Sequence, residues 1–161
     1  MKRILRNKVN ILVGTSYIFM FTWLVTQYEF VINHSESLPL RFVIIKKGAL
    51  PKTVDQVFVF RVKDNPTYKN QEVKFIKLLG GKESDEIIIK DDRAVYVNEK
   101  LIGVAKTTSL KGLPLEILPA GKIPPHKFFA YGTHKDSYDS RYKEIGLIDE
   151  KDIIGTAVFV Y

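Results

Sequence analysis

Val73-Lys74-Phe75-Ile76-Lys77-Leu78-Leu79 is a short apolar run that stops at Gly80-Gly81. Such a run, rich in aromatic and branched residues and closed by turn formers, reads as a strand. In a strand Phe75, Lys77 and Leu79 share one face. A lysine is thereby set among large apolar side chains.

Similar runs lie on both sides of it. Residues 42–46 end near Gly48 and Pro51. Residues 56–62 alternate around Val57, Val59 and Arg61, and Asp64-Asn65-Pro66-Thr67 then breaks them by turn chemistry. Residues 86–90 and 94–97 read as a pair around Asp91-Asp92. Asn98-Glu99-Lys100 turns the second of these back into Leu101-Ile102-Gly103-Val104. Residues 128–131 and 153–161 complete the series, with Gly155 as a bulge or bend in the last strand. Residues 106–125 carry Gly112, Pro114, Pro119, Gly121, Pro124 and Pro125 and read as an irregular excursion that returns directly to a strand. No stretch after residue 30 has a helical period with caps. Residues 29–161 are therefore expected to form one mainly β domain of sandwich or barrel type.

The other end of the chain has a different character. Of the 25 lysines and arginines in 161 residues, Lys2, Arg3, Arg6 and Lys8 fall together at the start with no acidic neighbour. The formal charge of +7 is thus mostly an N-terminal cluster, and it gives no broad face for nucleic acid. Residues 9–28 carry no charge. Twenty helical residues reach about 30 Å, the thickness of a bilayer's hydrocarbon core. Trp23 and Tyr28 stand near the distal end, where amphipathic rings favour the interface. No A-x-A-like cleavage site comes after the run, which reads on as Thr26-Gln27-Tyr28-Glu29-Phe30. The expectation is a basic cytoplasmic flank (1–8), a single transmembrane helix (9–28) and a domain on the far side (29–161).

Composition excludes several chemistries. With no cysteine there is no disulfide framework, thiolate zinc site or cysteine nucleophile. His34, His126 and His134 have no ligand spacing, so no metal is expected. Three segments carry what chemistry there is. In Asn33-His34-Ser35-Glu36-Ser37-Leu38-Pro39, Pro39 holds Leu38 extended. Ser35 and Ser37 then project to one side, one as nucleophile and the other as donor to an oxyanion. An ordinary loop is the plainer reading. Lys77 titrates at about 10.4 when free, but burial lowers that by several units and makes a proton acceptor of the amine. The plainer reading is a strand lysine with its head in water. In the segment from Phe128 to Arg141, Ser137 can orient a catalytic group and Asp139 can pair with Arg141. The plainer reading there is a solvated turn.

Together and in this order, the three segments resemble the type I signal peptidase superfamily of Ser–Lys serine proteases. The resemblance covers nearly the whole chain after the N-terminal run. Ser35-Glu36-Ser37-Leu38-Pro39 is similar to the nucleophile box, Phe75-Ile76-Lys77 to the box of the general base, and Phe128 to Tyr142 to the last box. It implies Ser37 as nucleophile, Lys77 as base, Ser35 at the oxyanion, and Ser137, Asp139 and Arg141 in support. It also implies a signal-peptidase-like catalytic domain without cofactor, working on a secreted precursor at the membrane. With Leu38 followed at once by Pro39, the segment Asn33-x-Ser35-x-Ser37-x-Pro39 is more similar to the TraF-type enzymes of conjugative transfer, which mature a pilin and in some cases close it into a ring. The Gly132-Thr133-His134-Lys135 segment stands where the family has Gly-Asp-Asn-Arg. By this resemblance the chain is expected to be a serine endopeptidase of the bacterial inner membrane. Its catalytic domain is periplasmic, with a pilin or other precursor as substrate and other secretion-apparatus components as partners. A housekeeping leader peptidase and a non-enzymatic anchored β module are the alternatives.

Overall fold

The computed structural model describes residues 2–63, 65, 68 and 71–161. A helix of 26 residues, α1 (Lys2–Gln27), opens the chain. Its apolar side chains between Leu12 and Val25, including Phe19, Phe21 and Trp23, are exposed on every side. Its hydroxyls are satisfied internally: Thr15 and Ser16 donate to the Leu12 carbonyl, Thr22 to those of Ile18 and Phe19, and Thr26 to that of Trp23. Among the described residues, no helix is long and apolar enough to cross a membrane.

Tyr28 leaves the helix directly as the first residue of β1 (Tyr28–Ile32). Next along the chain are β2 (Phe42–Lys47), β3 (Val57–Val62), β4 (Val73–Gly81), β5 (Glu86–Ile89), β6 (Ala94–Val97) and β7 (Lys100–Val104). The last four are β8 (Gly121–Lys122), β9 (Lys127–Tyr131), β10 (Ile148–Asp149) and β11 (Ile153–Val160). The strands make two antiparallel sheets among the described residues. One has seven strands in the order β1-β2-β11-β3-β4-β9-β10 and the other four in the order β7-β6-β5-β8. The mainly β expectation is met.

β4 is central and buried on both faces. Phe75 and Leu79 join Phe58 and Phe60 of β3 and Ala130 of β9 in one apolar cluster. Ile76 faces the other way, against Val59, Val43 and Ile45. A third cluster, around Val95, Val97 and Phe129, lies between β9 and the smaller sheet. Phe128 and Ala130 of β9 belong to the first cluster and Phe129 and Tyr131 to the third, as the two-residue period requires.

Three local expectations need correction or extension. Gly80-Gly81 does not follow the strand but forms its last two residues. A Cβ on Gly81 would lie 2.5 Å from Val97 Cγ1, and one on Gly80 3.0 Å from Phe129 Cδ1. These glycines permit close packing, and the β4–β9 register shifts beside them. Strands β1, β8 and β10 were not expected. β8 and β10 have two residues each, too few to show a period, and β1 succeeds the helix without a turn signal. Of the expected break after β3, Asp64, Pro66 and Thr67 lie outside the described residues. The excursion is less irregular than its prolines suggest. It is pinned by bridges from Thr108 to Pro114 and from Ile117 to Tyr142, and by the pairing of β8 with β5.

Gly155 does mark a bulge, because the register to β3 shifts between Ile153 and Gly155. A Cβ there would sit 2.3 Å from the Lys46 carbonyl oxygen. Gly155→Ala should therefore lower stability by about 1–3 kcal/mol, as overpacking against fixed backbone does. Denaturant unfolding of the full chain in detergent reads it, and an unchanged midpoint would show that β2 and β11 are not held this closely.

Candidate active site

The register that pairs Lys77 with Phe58 turns Lys77 into the first cluster. Lys77 is 2% exposed, which rules out a head kept in water. Its Nζ lies 5.4 Å from the centre of the Phe75 ring and donates to Ser137 Oγ at 2.9 Å. Burial disfavours the ammonium and lowers the pKa to about 8. The Asp139 carboxylate opposes that shift and the Arg141 guanidinium adds to it. The amine thus gives up its proton far more readily than a surface lysine.

Ser137 is held in place by its loop. Its N–H donates to the His134 carbonyl at 3.0 Å, and its own carbonyl accepts from Arg141 Nη2 at 3.0 Å. Asp139 and Arg141 are 0% and 2% exposed, so the solvated-turn reading does not hold. Asp139 Oδ1 accepts from Arg141 Nε at 2.9 Å and Arg141 N at 3.2 Å. Its Oδ2 accepts from Arg141 Nη2 and from Gly132 N, both at 2.9 Å. Four donors around one carboxylate, two of them a guanidinium fork, offset the cost of taking both charges out of water.

The serine loop is folded by Asn33. Asn33 Oδ1 accepts from Ser35 N at 3.1 Å and from Ser35 Oγ at 3.0 Å. Its Nδ2 donates to the carbonyls of Leu38 and Leu40, at 3.3 and 2.8 Å. Glu36 and Ser37 therefore form a turn, where an extended path was expected. Leu38 is buried at 3% and anchors the loop in the core.

Ser37 meets the Ser137 loop through its backbone, since its carbonyl accepts from His134 N at 3.2 Å. A Cβ on Gly132 would lie 2.7 Å from that carbonyl oxygen and 2.3 Å from Ser137 Oγ, so the two loops close over a glycine. Ser35, Ser37 and Ser137 all line one cleft of about 490 Å³. Among the described residues no hydrogen bond joins Lys77 to Ser37, and the Ser37 N–H has no acceptor. Nor do three His, Asp or Glu side chains converge as metal ligands among them.

The six residues singled out in the sequence thus lie in or directly behind one cleft. Ser35 stands at its rim with its hydroxyl engaged by Asn33. Sequence reasoning gave no role to Asn33 or Gly132. The Asn33-x-Ser35 spacing is that of an Asx turn and carried the first signal. Gly132 after an apolar strand carried the second.

The Asp139–Arg141 pair yields a direct expectation. Arg141→Met leaves the Asp139 carboxylate buried without its fork and should cost about 3–5 kcal/mol. A loss below about 1 kcal/mol in equilibrium unfolding would be the behaviour of an exposed pair and would contradict the geometry.

Comparison with known proteins gives the family. The family described as "Signal peptidase, peptidase S26" matches residues 4–161. Signal peptidase I of Bacillus licheniformis is 33% identical over 121 residues, 68% of this chain and 63% of that protein. Signal peptidase I of Bacillus amyloliquefaciens is 33% identical over 99 residues, 56% of this chain and 50% of that protein. Signal peptidase I T of Bacillus subtilis (strain 168) is 31% identical over 102 residues, covering 58% and 51%. The chain thus aligns with between half and 63% of the length of these relatives. With a family match that runs from residue 4 to the last residue, behind a buried lysine and two serine loops, the chain belongs to the signal peptidase family, peptidase S26.

Proposed function

We propose that this chain is a membrane-anchored signal peptidase, a serine endopeptidase in which Ser37 is the nucleophile and Lys77 the general base. The observation that carries this reading is the Lys77 amine, buried beside the serine cleft and bonded to Ser137. In the proposed cycle Ser37 Oγ attacks the scissile carbonyl and its proton passes to Lys77 Nζ. The Ser37 N–H and the Ser35 hydroxyl, once it leaves Asn33, stabilise the oxyanion. Lys77 then protonates the departing amine, leaving an ester on Ser37. A second nucleophile, water or an amine, loses a proton to Lys77 and attacks the ester; Lys77 returns that proton to Ser37 Oγ as the product leaves. Ser137 orients the amine throughout, while Asp139 and Arg141 keep its loop fixed. The precursor lies extended along residues 73–77 of β4, where the edge away from β3 has no strand partner among the described residues.

The proposed anchor is residues 9–28, between a basic flank (1–8) and the catalytic domain (29–161). Three facts favour it: the charge-free run, the exposed apolar surface of α1 on all sides, and hydroxyls bonded within the helix. In this reading the N-terminus is cytoplasmic, and the catalytic domain works at the periplasmic face of the bacterial inner membrane. The anchor confines Ser37 to the surface where precursors arrive, raising its effective concentration. Leu38-Pro39 directly after Ser37 favours a conjugative pilin as substrate, with other secretion components as neighbours and ring closure as one fate of the acyl-enzyme. The names of the relatives favour a general leader peptidase.

Co-expression with a pilin precursor, followed by intact mass, tests the reading. The wild type should shorten the precursor. Ser37→Ala should lose about 10⁴-fold or more of the rate, and Lys77→Arg should be equally dead because guanidinium stays protonated. A product one water lighter than the linear fragment reports ring closure. Processing by Ser37→Ala would overturn the assignment.

The sign of the pH dependence is fixed by the base. Lys77 is competent when neutral, so the single-turnover acylation rate should rise with pH, reach half its plateau near pH 8, and level above it. A flat profile through that range would remove Lys77 as the base.

A further inference from the structure

The cleft has a wall that takes no part in this mechanism. Residues 106–115 leave β7 as a small hairpin. Ser109 N donates to the Leu113 carbonyl at 2.8 Å and Leu115 N to the Thr107 carbonyl at 2.9 Å, with Gly112 at φ +76° near the tip. The root of the hairpin is gripped from below. Arg93 donates to the carbonyls of Ala105 and Lys106 at 2.9 and 3.0 Å, and Lys106 N donates to Tyr142 Oη at 3.1 Å. The return strand is tied to the catalytic loop's far end by Leu118 N to the Arg141 carbonyl and Lys143 N to the Glu116 carbonyl, both at 2.9 Å. Leu110 and Leu113 are exposed and, with Leu115, line the same cleft as Ser37.

One ion pair joins this wall to the turn that carries Ser137. The Lys106 ammonium binds the Asp136 carboxylate, whose side chain is 13% exposed. Asp136 immediately precedes Ser137. Its N–H donates to His134 Nδ1 at 3.2 Å, and the His134 N–H holds the Ser37 carbonyl. The pair therefore connects the hairpin to the turn that carries both contacts of the serine site. Lys106 is 43% exposed, so the pair adds little to global stability. Its effect is geometric.

We infer that Lys106 and Asp136 are a positioning pair that sets the width of the cleft, holding the 106–115 hairpin against the Ser137 turn so that the bound precursor is gripped from both sides. The inference rests on the function proposed above. It assigns the pair to substrate binding and leaves proton transfer to Lys77.

Lys106→Met, Asp136→Asn and the exchanged pair Lys106→Asp with Asp136→Lys test it in the full chain. Affinity for a synthetic precursor peptide is measured in a Ser37→Ala background, and KM, kcat and the pH midpoint in the active protein. Each single variant should weaken peptide affinity and raise KM about fivefold or more, while the pH midpoint stays in place. The exchanged pair should recover most of the loss, as two directly coupled residues do. Unchanged affinity in both single variants, no recovery in the exchanged pair, or a loss confined to kcat with a displaced pH midpoint would each overturn the inference. Failure of the unsubstituted protein to cleave any precursor would instead remove the peptidase reading itself.

Discussion

An amine on a central strand, 2% exposed, is compatible with a stable fold only if it can shed its charge or be compensated for keeping it. Lys77 does some of each. Its pKa near 8 leaves a large neutral fraction at mildly alkaline pH, and the Asp139 carboxylate behind it limits the cost of the protonated form. The neutral amine still needs a partner, and Ser137 Oγ at 2.9 Å supplies it. That bond fixes where the last loop must run.

From there the constraints propagate outward. Ser137 stays in place because Arg141 holds its carbonyl and the Asp139 carboxylate holds Arg141 and the Gly132 N–H. Gly132 must lack a side chain because the Ser37 carbonyl and the Ser137 hydroxyl meet over it. The serine loop reaches that point because Asn33 folds it and Leu38 roots it in the core. A buried ion pair is weak evidence for stability in itself. Here it holds the loop of residues 132–141 in one shape, and the serine loop docks on that loop through the His134 N–H.

The sequence carried the strands well where a run was long enough to show its period. β3, β4, β6 and β9 are close to their expected positions because alternation and bulky side chains agree there. It misled at Gly80-Gly81, where a turn signal serves close packing between sheets. It missed β8 and β10, which exist through pairing alone. The candidate site was legible as residue types in order, since Ser37, Lys77 and Ser137 each stand in a recognisable segment. Their convergence on one cleft was not, because it depends on a turn made by the Asn33 side chain, and the cleft's hairpin wall lies in a stretch whose glycines and prolines read as an irregular excursion. The burial of Asp139 and Arg141 was likewise invisible. A pair two residues apart looks the same in sequence whether it lies in water or in a core.

The protonation state of one nitrogen decides the whole account. Nζ of Lys77 can be followed by heteronuclear NMR on lysine-labelled protein in detergent, with Lys77→Arg to assign the signal. The expected titration midpoint is near pH 8, moving lower still in Asp139→Asn where the compensating carboxylate is gone. A midpoint near 10.5, the ordinary lysine value, would mean that the amine stays charged and that Lys77 is not the base.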